Sequence, residues 1–166
     1  MVEGAKTFIN QQSATTQIGV YEFHREDQNP LQVLPLTTDK ALLHAAVESI
    51  WDDYVMWFPA ASRCWDALTN AITNLGASNR DEQHYVVFIS DGRDESSFAT
   101  VDNVIRAATN NGVKIYCIGF GAELDLTTLT NITTQTSGRY YSATNAIDLA
   151  AQFAQVSKDL NGQYVL

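Results

Sequence analysis

The chain has 166 residues, which is long enough for one globular domain with a buried core. Ten basic and nineteen acidic residues give a net charge of −9, which disfavours nonspecific binding to nucleic acid or anionic lipid, since both need a positive surface. Hydrophobic residues make up 45% of the chain, which argues against disorder. Without an apolar run of about 18 residues, the chain is expected to be soluble as written.

The first half of the chain predicts three helices and two strands. Apolar residues at helical spacing predict a helix around Ala5–Ile9, and alternation predicts a strand at Thr16–Phe23. Pro35 restricts the next strand, 31–36, to a sheet edge. Two further helices are predicted. One is capped by Thr37 or Thr38 and carries an apolar stripe at Leu42, Leu43, Ala46, Val47 and Ile50; the other is Arg63–Leu75, with Ser62 at its N-terminus and Gly76 at its end.

The second half alternates strand and helix three times. The predicted strands are Tyr85–Asp91, Val113–Phe120 and Arg139–Ser142. The predicted helices are Phe98–Asn111, a segment from about Leu126 to Gly138, and a Thr144-capped helix at Asn145–Leu160 with a stripe at Ile147, Ala150, Ala151, Ala154 and Leu160. This order predicts a single α/β domain over 1–166, with a doubly wound, mostly parallel sheet, helices on both faces and an antiparallel edge strand.

The strand tip Tyr85–Asp94 is the first candidate for a site. Its apolar run ends in Ser90-Asp91-Gly92, so an acidic side chain lies at the carboxyl end of a strand, where open α/β sheets bind ligands. The alternative role for Asp91 is to cap the following turn, and for Ser62 it is a plain helix N-cap. Arg93, Asp94 and Glu95 form either a partner-binding loop or a solvated one.

Several blocks in the same order resemble the von Willebrand factor type A family, also called the integrin I-domain type. The resemblance lies in Val86–Gly92, in Gly112–Gly121, in Ser62–Leu68, in Gly138–Tyr141 and in the closing Leu160–Leu166. It implies a Rossmann-like fold and a metal-ion-dependent adhesion site at the carboxyl end of the sheet. In such a site Mg²⁺ or another divalent cation takes oxygen ligands and bridges to an acidic residue of a protein partner.

Two of the family's three ligand loops have a match in this chain. Ser62 stands for the family's threonine and Asp91 for its strand-tip aspartate, and these two are the candidate metal ligands. The third loop, D-x-S-x-S after a first central strand, has no match; Asp94-Glu95-Ser96-Ser97 fails because Phe98 stands in the last serine's place. The metal site is therefore predicted to be incomplete.

Three explanations are open for the missing strand. The chain is a piece of a longer polypeptide whose start is not Met1, a strand from another chain or another copy fills the central position, or the sheet has closed around five strands. The first is favoured as the origin of the sequence. Strand exchange or a homo-oligomer would then keep the sheet complete.

The resulting hypothesis is a non-enzymatic domain for protein–protein interaction or adhesion, from a parent protein that is secreted or on the cell surface. The alternatives are a Rossmann-like nucleotide-binding or hydrolytic domain, and a structural assembly module with a decayed metal site. No Walker loop, nucleophile elbow or histidine cluster supports an enzyme. Trp51, Trp57, Phe58 and Trp65 form either core or a partner-binding aromatic patch, and Cys64 and Cys117 are predicted to be buried free thiols.

Overall fold

The structure is a computed structural model, and it describes residues 2–23, 31–56, 62–76, 82–121 and 124–162, without the side chains of residues 31, 51–56 and 162. The helices are α1 (Val2–Gln11), α2 (Lys40–Met56), α3 (Cys64–Gly76), α4 (Val101–Asn111), α5 (Leu126–Gln135) and α6 (Ala146–Gly162). The strands are β1 (Ile18–Glu22), β2 (Leu31–Thr37), β3 (His84–Ser90), β4 (Val113–Phe120) and β5 (Tyr140–Ala143). None of the helices in these ranges is long and apolar enough to cross a membrane.

The described strands form two sheets. Strands β3, β4 and β5 are parallel and lie in that order, with Phe88 opposite Cys117 and Ile118 opposite Tyr141. Strand β2, which contains Pro35, pairs antiparallel with β1 as a separate two-stranded sheet. The predicted mostly parallel arrangement with an antiparallel edge strand is confirmed. The third explanation for the missing strand is wrong for the described residues, because the five strands have not closed into one sheet.

Helices cover both faces of the parallel sheet and enclose two apolar clusters. On one face, α3, α4 and α5 surround a cluster that includes Ile72, Phe88, Val104, Ile115 and Ile132. On the other face, α1 and α6 pack together over a cluster made of Tyr116, Ile118, Tyr141, Ala143, Leu149, Phe153, Val156 and Leu160. Gly4 permits this contact, since a Cβ there would lie 2.8 Å from Phe153 Cδ2.

One predicted helix end is confirmed and two predicted helix caps are wrong. Gly112 ends α4 in the left-handed conformation, as predicted. The predicted Thr37 or Thr38 cap of α2 is wrong, because the Asp39 carboxylate accepts from the Ala41 and Leu42 amides. The predicted Thr144 cap of α6 is also wrong, since Asn145 Oδ1 accepts from the Ile147 and Asp148 amides.

Three predicted boundaries or faces are also corrected. Helix α2 continues to Met56, beyond Ile50, the last residue of its predicted apolar stripe. Helix α4 begins at Val101 and not at Phe98, because Thr100 and Asn103 form a capping box there. The predicted stripe on α6 is correct at Leu160 but wrong at Ile147, which is exposed; Leu149, Phe153 and Val156 join Leu160 in the apolar cluster.

Candidate functional site

The tip of β3 is a tight turn built from its own side chains. Ser90 Oγ accepts from the Gly92 amide at 3.0 Å, and Asp91 Oδ1 accepts from the Arg93 amide at 3.0 Å. Gly92 has φ of +85°, and a Cβ there would lie 2.9 Å from Leu129 Cγ and 3.0 Å from the Asp125 carbonyl oxygen. Both the backbone conformation and the lack of space therefore require glycine after Asp91.

The neighbouring strand and helix hold this tip from the side. The Asp125 amide donates to the Asp91 carbonyl oxygen at 2.8 Å, which ties the tip to the start of α5. At the end of β4, a Cβ on Gly121 would be 3.5 Å from the Asp91 Cβ. The Asp91 carboxylate, which is half-buried, thus stands between the ends of β3 and β4 at the carboxyl end of the parallel sheet.

Asp94, three residues further on, caps helix α3 across a long sequence separation. Its Oδ1 accepts from the Cys64 amide at 2.8 Å, from the Trp65 amide at 3.4 Å and from Ser97 Oγ at 2.6 Å. Its Oδ2 accepts from the Ser97 amide at 2.9 Å. A carboxylate with these partners satisfies helix N-terminal amides and is also favoured by the helix dipole. Asp94 therefore has a structural role and is not a candidate metal ligand.

A second carboxylate, that of Asp66 in α3, also joins this helix to the loop after β3. Asp66 Oδ1 accepts from the Ala99 amide at 2.8 Å, and Asp66 Oδ2 accepts from the Phe98 amide at 3.2 Å and from Arg63 Nη2 at 2.6 Å. Burial alone would raise the pKa of Asp66, but the hydrogen bonds from Ala99, Arg63 and Phe98 outweigh it and lower the pKa below its usual range. We call residues 93–99 together with residues 62–66 the loop–helix lock.

Ser62 enters this lock through its backbone. Its amide donates to Glu95 Oε2 at 3.1 Å, and its carbonyl oxygen accepts from the Glu95 and Ser96 amides at 3.1 and 3.2 Å. The predicted N-cap role of Ser62 is therefore taken by Asp94, whose carboxylate accepts from the first amides of α3. This frees the Ser62 side chain from the capping role that its position predicts.

The two cysteines are free and buried, as predicted. Burial, followed by the hydrogen bond and charge of Asp94, raises the pKa of the Cys64 thiol, and the Asp91 charge adds to this. Burial raises the pKa of the Cys117 thiol to about 12. Both groups are inert thiols under ordinary conditions.

The structure brings the two predicted metal ligands to the same end of the sheet. Ser62 lies against the loop that follows Asp91, because its carbonyl oxygen accepts from the Glu95 and Ser96 amides. Among the described residues, no group of three or more His, Cys, Asp or Glu side chains is placed to hold a metal ion. One carboxylate and one hydroxyl are the oxygen donors that Mg²⁺ prefers, but they are fewer than its octahedral shell needs. The donors fit part of a cation site.

A set of exposed apolar side chains surrounds this end, and sequence reasoning missed it. Phe98 is 90% exposed, Ile147 83% and Leu126 51%, and these are three of the four large apolar side chains that the described residues expose. Phe98 lies in the loop between β3 and α4, and Leu126 and Ile147 lie in the first turns of α5 and α6, so all three follow parallel strands. We call them the apolar rim.

Of the aromatic residues singled out in the sequence, the structure describes the side chain of one. Trp65 is only 7% exposed, and its ring lies 6.1 Å from that of Phe88, so it belongs to the core. Trp57, Phe58 and the Trp51 side chain lie outside the described residues. The exposed aromatic is instead Phe98, whose ring centroid lies 5.1 Å from the Arg63 guanidinium carbon.

Comparison with solved structures finds the same fold in proteins of low sequence identity. The protein BatB from Bacteroides thetaiotaomicron is 13% identical, with a TM-score of 0.77 over 97% of this chain and 85% of that one. Proximal thread matrix protein 1 from the mussel byssus is 18% identical, with a TM-score of 0.76 over 95% and 40%. The pilus adhesin SpaC from Lactobacillus rhamnosus GG, in its open conformation, is 12% identical, with a TM-score of 0.71 over 98% and 28%.

No curated protein matches the chain. The family profile that describes the von Willebrand factor type A domain matches residues 1–155, which is most of the chain. The strand-tip turn at Asp91 and the parallel β3–β5 sheet are where the sequence blocks of that family placed them. The chain belongs to the von Willebrand factor type A domain family.

Proposed function

We propose that this domain is a non-enzymatic protein–protein interaction module of the adhesion type, which binds its partner at the carboxyl end of the β3–β5 sheet. The observation that carries the proposal is the apolar rim: Phe98, Leu126 and Ile147 each follow a parallel strand and expose apolar side chains at the carboxyl end of the sheet. Large exposed side chains gathered in one region are typical of interaction sites, whereas singly scattered ones are not. The loop–helix lock gives this surface a rigid base.

We further infer that Ser62 and Asp91 are the ligands that this chain contributes to an incomplete adhesion site. A bound Mg²⁺ would supply a positive charge between Asp91 and an acidic side chain of the partner. Asp91 is suited to this role because one carboxylate oxygen is held by the Arg93 amide, which orients the group toward the end of the sheet. Ser62 is suited because Asp94, and not Ser62, caps α3.

We infer an adhesive role and a secreted or cell-surface setting, with which the names of two similar structures agree. One is a pilus adhesin and another is a byssus thread matrix protein. At 12% and 18% identity these likenesses carry the fold alone, so the role rests on the surface of this chain. The net charge of −9 also fits a cation or a basic partner.

The cation is tested by following the melting temperature while Mg²⁺ or Mn²⁺ is added. At ten times its dissociation constant a cation adds about 1.4 kcal/mol to the free energy of unfolding, which corresponds to a shift of about 3–6 °C for a domain of this size. The shift should be lost in Asp91→Ala. Glu82→Ala is the matched control, because Glu82 is exposed and precedes β3, at the opposite end of that strand from Asp91.

The same assay separates this proposal from its alternatives. A peptide with one glutamate should bind only when Mn²⁺ is present, and its glutamine counterpart should not bind. Stabilisation by ATP or ADP without any response to Mn²⁺ would favour a nucleotide-binding domain. No response of the wild type to cation, glutamate peptide or nucleotide would favour a structural module with a decayed site.

A further inference from the structure

Carboxylates lie beside every apolar side chain of the rim. Asp125 immediately precedes Leu126, and Asp148 immediately follows Ile147. Asp102, in the first turn of α4, lies four residues after the aromatic member of the rim. The apolar side chains and the carboxylates are therefore interspersed over the starts of α4, α5 and α6.

The loops and first turns that carry the rim are strongly acidic. Residues 91–102, 124–128 and 144–148 contain six carboxylates and one basic side chain, that of Arg93. Within these segments five negative charges are left unbalanced, which is more than half of the chain's net charge of −9. Because the segments follow β3, β4 and β5, this charge is concentrated at the carboxyl end of the parallel sheet.

Helix capping accounts for part of this charge but not for the apolar side chains. Asp125 Oδ1 accepts from the Thr128 amide at 3.1 Å, and Asp148 Oδ2 accepts from the Thr144 amide at 3.2 Å. Carboxylates at a helix start are stabilised by its free amides and by its dipole. An exposed leucine, isoleucine or phenylalanine gains nothing from either. The rim therefore needs an explanation outside the helices themselves.

The aromatic side chain of the rim is exposed but held in place. The Phe98 ring centroid lies 5.1 Å from the guanidinium carbon of Arg63, which is buried. Arg63 donates to Asp66 Oδ2 through Nε at 3.0 Å and through Nη2 at 2.6 Å, and the same oxygen accepts from the Phe98 amide at 3.2 Å. A ring whose backbone and neighbour are fixed loses little freedom when a partner covers it, which suits a binding anchor.

The rim extends over both faces of the parallel sheet. Helices α4 and α5 pack on the apolar cluster that contains Phe88, whereas α6 packs on the cluster that contains Tyr116. Phe98 and Leu126 are therefore on one side of the sheet, and Ile147 is on the other. A single partner that covers all three must lie across the carboxyl ends of the strands, over the acidic segments.

We propose that the partner of this surface is a protein segment whose apolar side chains are flanked by lysine or arginine, and that it docks across the apolar rim without needing a cation. Its apolar side chains cover Phe98, Leu126 and Ile147, and its basic side chains face the neighbouring carboxylates. Buried apolar anchors then contribute most of the affinity, and charge complementarity contributes specificity and association rate. This inference rests on the proposed function for the position of the surface. A cation at Asp91 would be an additional contact.

Charge argues against the other occupants that exposed apolar side chains would suit. Anionic lipids repel the acidic segments, and a zwitterionic lipid surface would cover the carboxylates without offering them lysine or arginine. A second copy of this chain that docked with the same surface would bring the same acidic segments against it. A basic and apolar protein segment complements both kinds of side chain on this surface.

The test uses a synthetic peptide of about 18 residues, about 27 Å long as a helix, with leucines along one face and lysines beside them. One control peptide has the same composition in an order that leaves no apolar face, and the other has glutamate in place of every lysine. Binding is measured by fluorescence anisotropy in EDTA, so that it does not depend on a cation at Asp91. The first peptide should bind saturably and about tenfold more tightly than either control, and high salt should weaken it.

Variants of the domain locate the bound peptide. Leu126→Ser combined with Ile147→Ser should weaken binding about tenfold, because two apolar contacts are lost. Leu42→Ser is the matched control, since Leu42 is 51% exposed, as Leu126 is, but lies in α2, which does not follow a parallel strand. Asp102→Asn should weaken binding about twofold by removing one exposed charge, whereas Glu82→Gln, before β3, should not.

The outcomes separate this inference from the proposed function. No saturable binding in EDTA, equal affinity for the three peptides, equal affinity of the rim and Leu42 variants, or preferential binding to phosphatidylcholine vesicles would overturn the inference. If the basic peptide fails while the glutamate peptide of the cation test binds with Mn²⁺, the inference is wrong and the proposed function stands. If neither peptide binds, both are wrong.

Discussion

Asp91 and Asp94 lie three residues apart after the same strand, and the structure uses them in opposite ways. The Asp94 carboxylate accepts hydrogen bonds from Cys64, Trp65 and Ser97, and so joins the loop after β3 to helix α3. The Asp91 carboxylate accepts from the amide of Arg93, within its own turn. The first carboxylate is satisfied by the fold, and the second is positioned by the fold but available to a ligand. Within four residues, the strand tip therefore carries one carboxylate that the fold uses and one that it leaves for the proposed cation site.

Among the changes to the strand tip and the surface, the largest expected effect comes from removing the structural carboxylate. Asp94→Ala should lower the free energy of unfolding by about 3 kcal/mol, since it removes a helix cap and leaves buried amides without an acceptor. Asp91→Ala should cost about 0.5 kcal/mol or less, because it removes one hydrogen bond within a turn. Urea unfolding of both variants measures the difference. Similar losses of unfolding free energy in Asp94→Ala and Asp91→Ala would contradict the conclusion that only Asp94 stabilises the fold.

A second prediction sharpens the comparison through pH. The folded-state pKa of Asp66 is lowered, so its contribution to stability is present above the unfolded-state pKa of about 3.9 and is lost as pH falls through the folded-state value. Asp66→Asn should be less stable than the wild type at pH 7 by about 2 kcal/mol. The gap between the two should narrow below about pH 4. A constant difference in stability between the wild type and Asp66→Asn over that range would show that Asp66 is not charged in the loop–helix lock.

The smallest expected effect is at the apolar rim. Phe98→Ser should change the free energy of unfolding by about 0.5 kcal/mol or less, because the ring is 90% exposed. Trp65→Ala, which removes a core aromatic ring, should cost about 3–5 kcal/mol. Thermal or urea unfolding of the pair checks both. A large loss in Phe98→Ser would mean that the ring stabilises the fold through Arg63 and is not a free interaction surface.

The sequence predicted those features that depend on local patterns. Continuous apolar runs located β3 and β4, the glycine after α4 located its end, and the strand tip located Asp91. Each of these features is determined by residues that are close together in the sequence, so a local sequence pattern predicts it. The sequence also contains the Thr100–Asn103 capping box, from which the start of α4 after Phe98 could have been predicted.

The remaining features depend on contacts between distant segments. Asp94 caps a helix that begins thirty residues earlier, and no periodicity reports such a bond. On α6 two apolar sets share the helical spacing, and the packing of Leu149 and Phe153 against α1 and β4 decides which is buried. The missing family motif predicted the absence of a central strand. The folded chain shows its consequence, which is that β1 and β3 share no ladder of hydrogen bonds.

The central claim, that Asp91 is a ligand position and Asp94 is not, is tested most directly by adding Mn²⁺ to the ¹⁵N-labelled domain. Paramagnetic broadening should centre on the amides of Asp91, Gly92 and Ser62 in the wild type. It should disappear in Asp91→Ala and persist in Glu82→Ala. No site-selective broadening, or broadening that survives in Asp91→Ala, would contradict the claim.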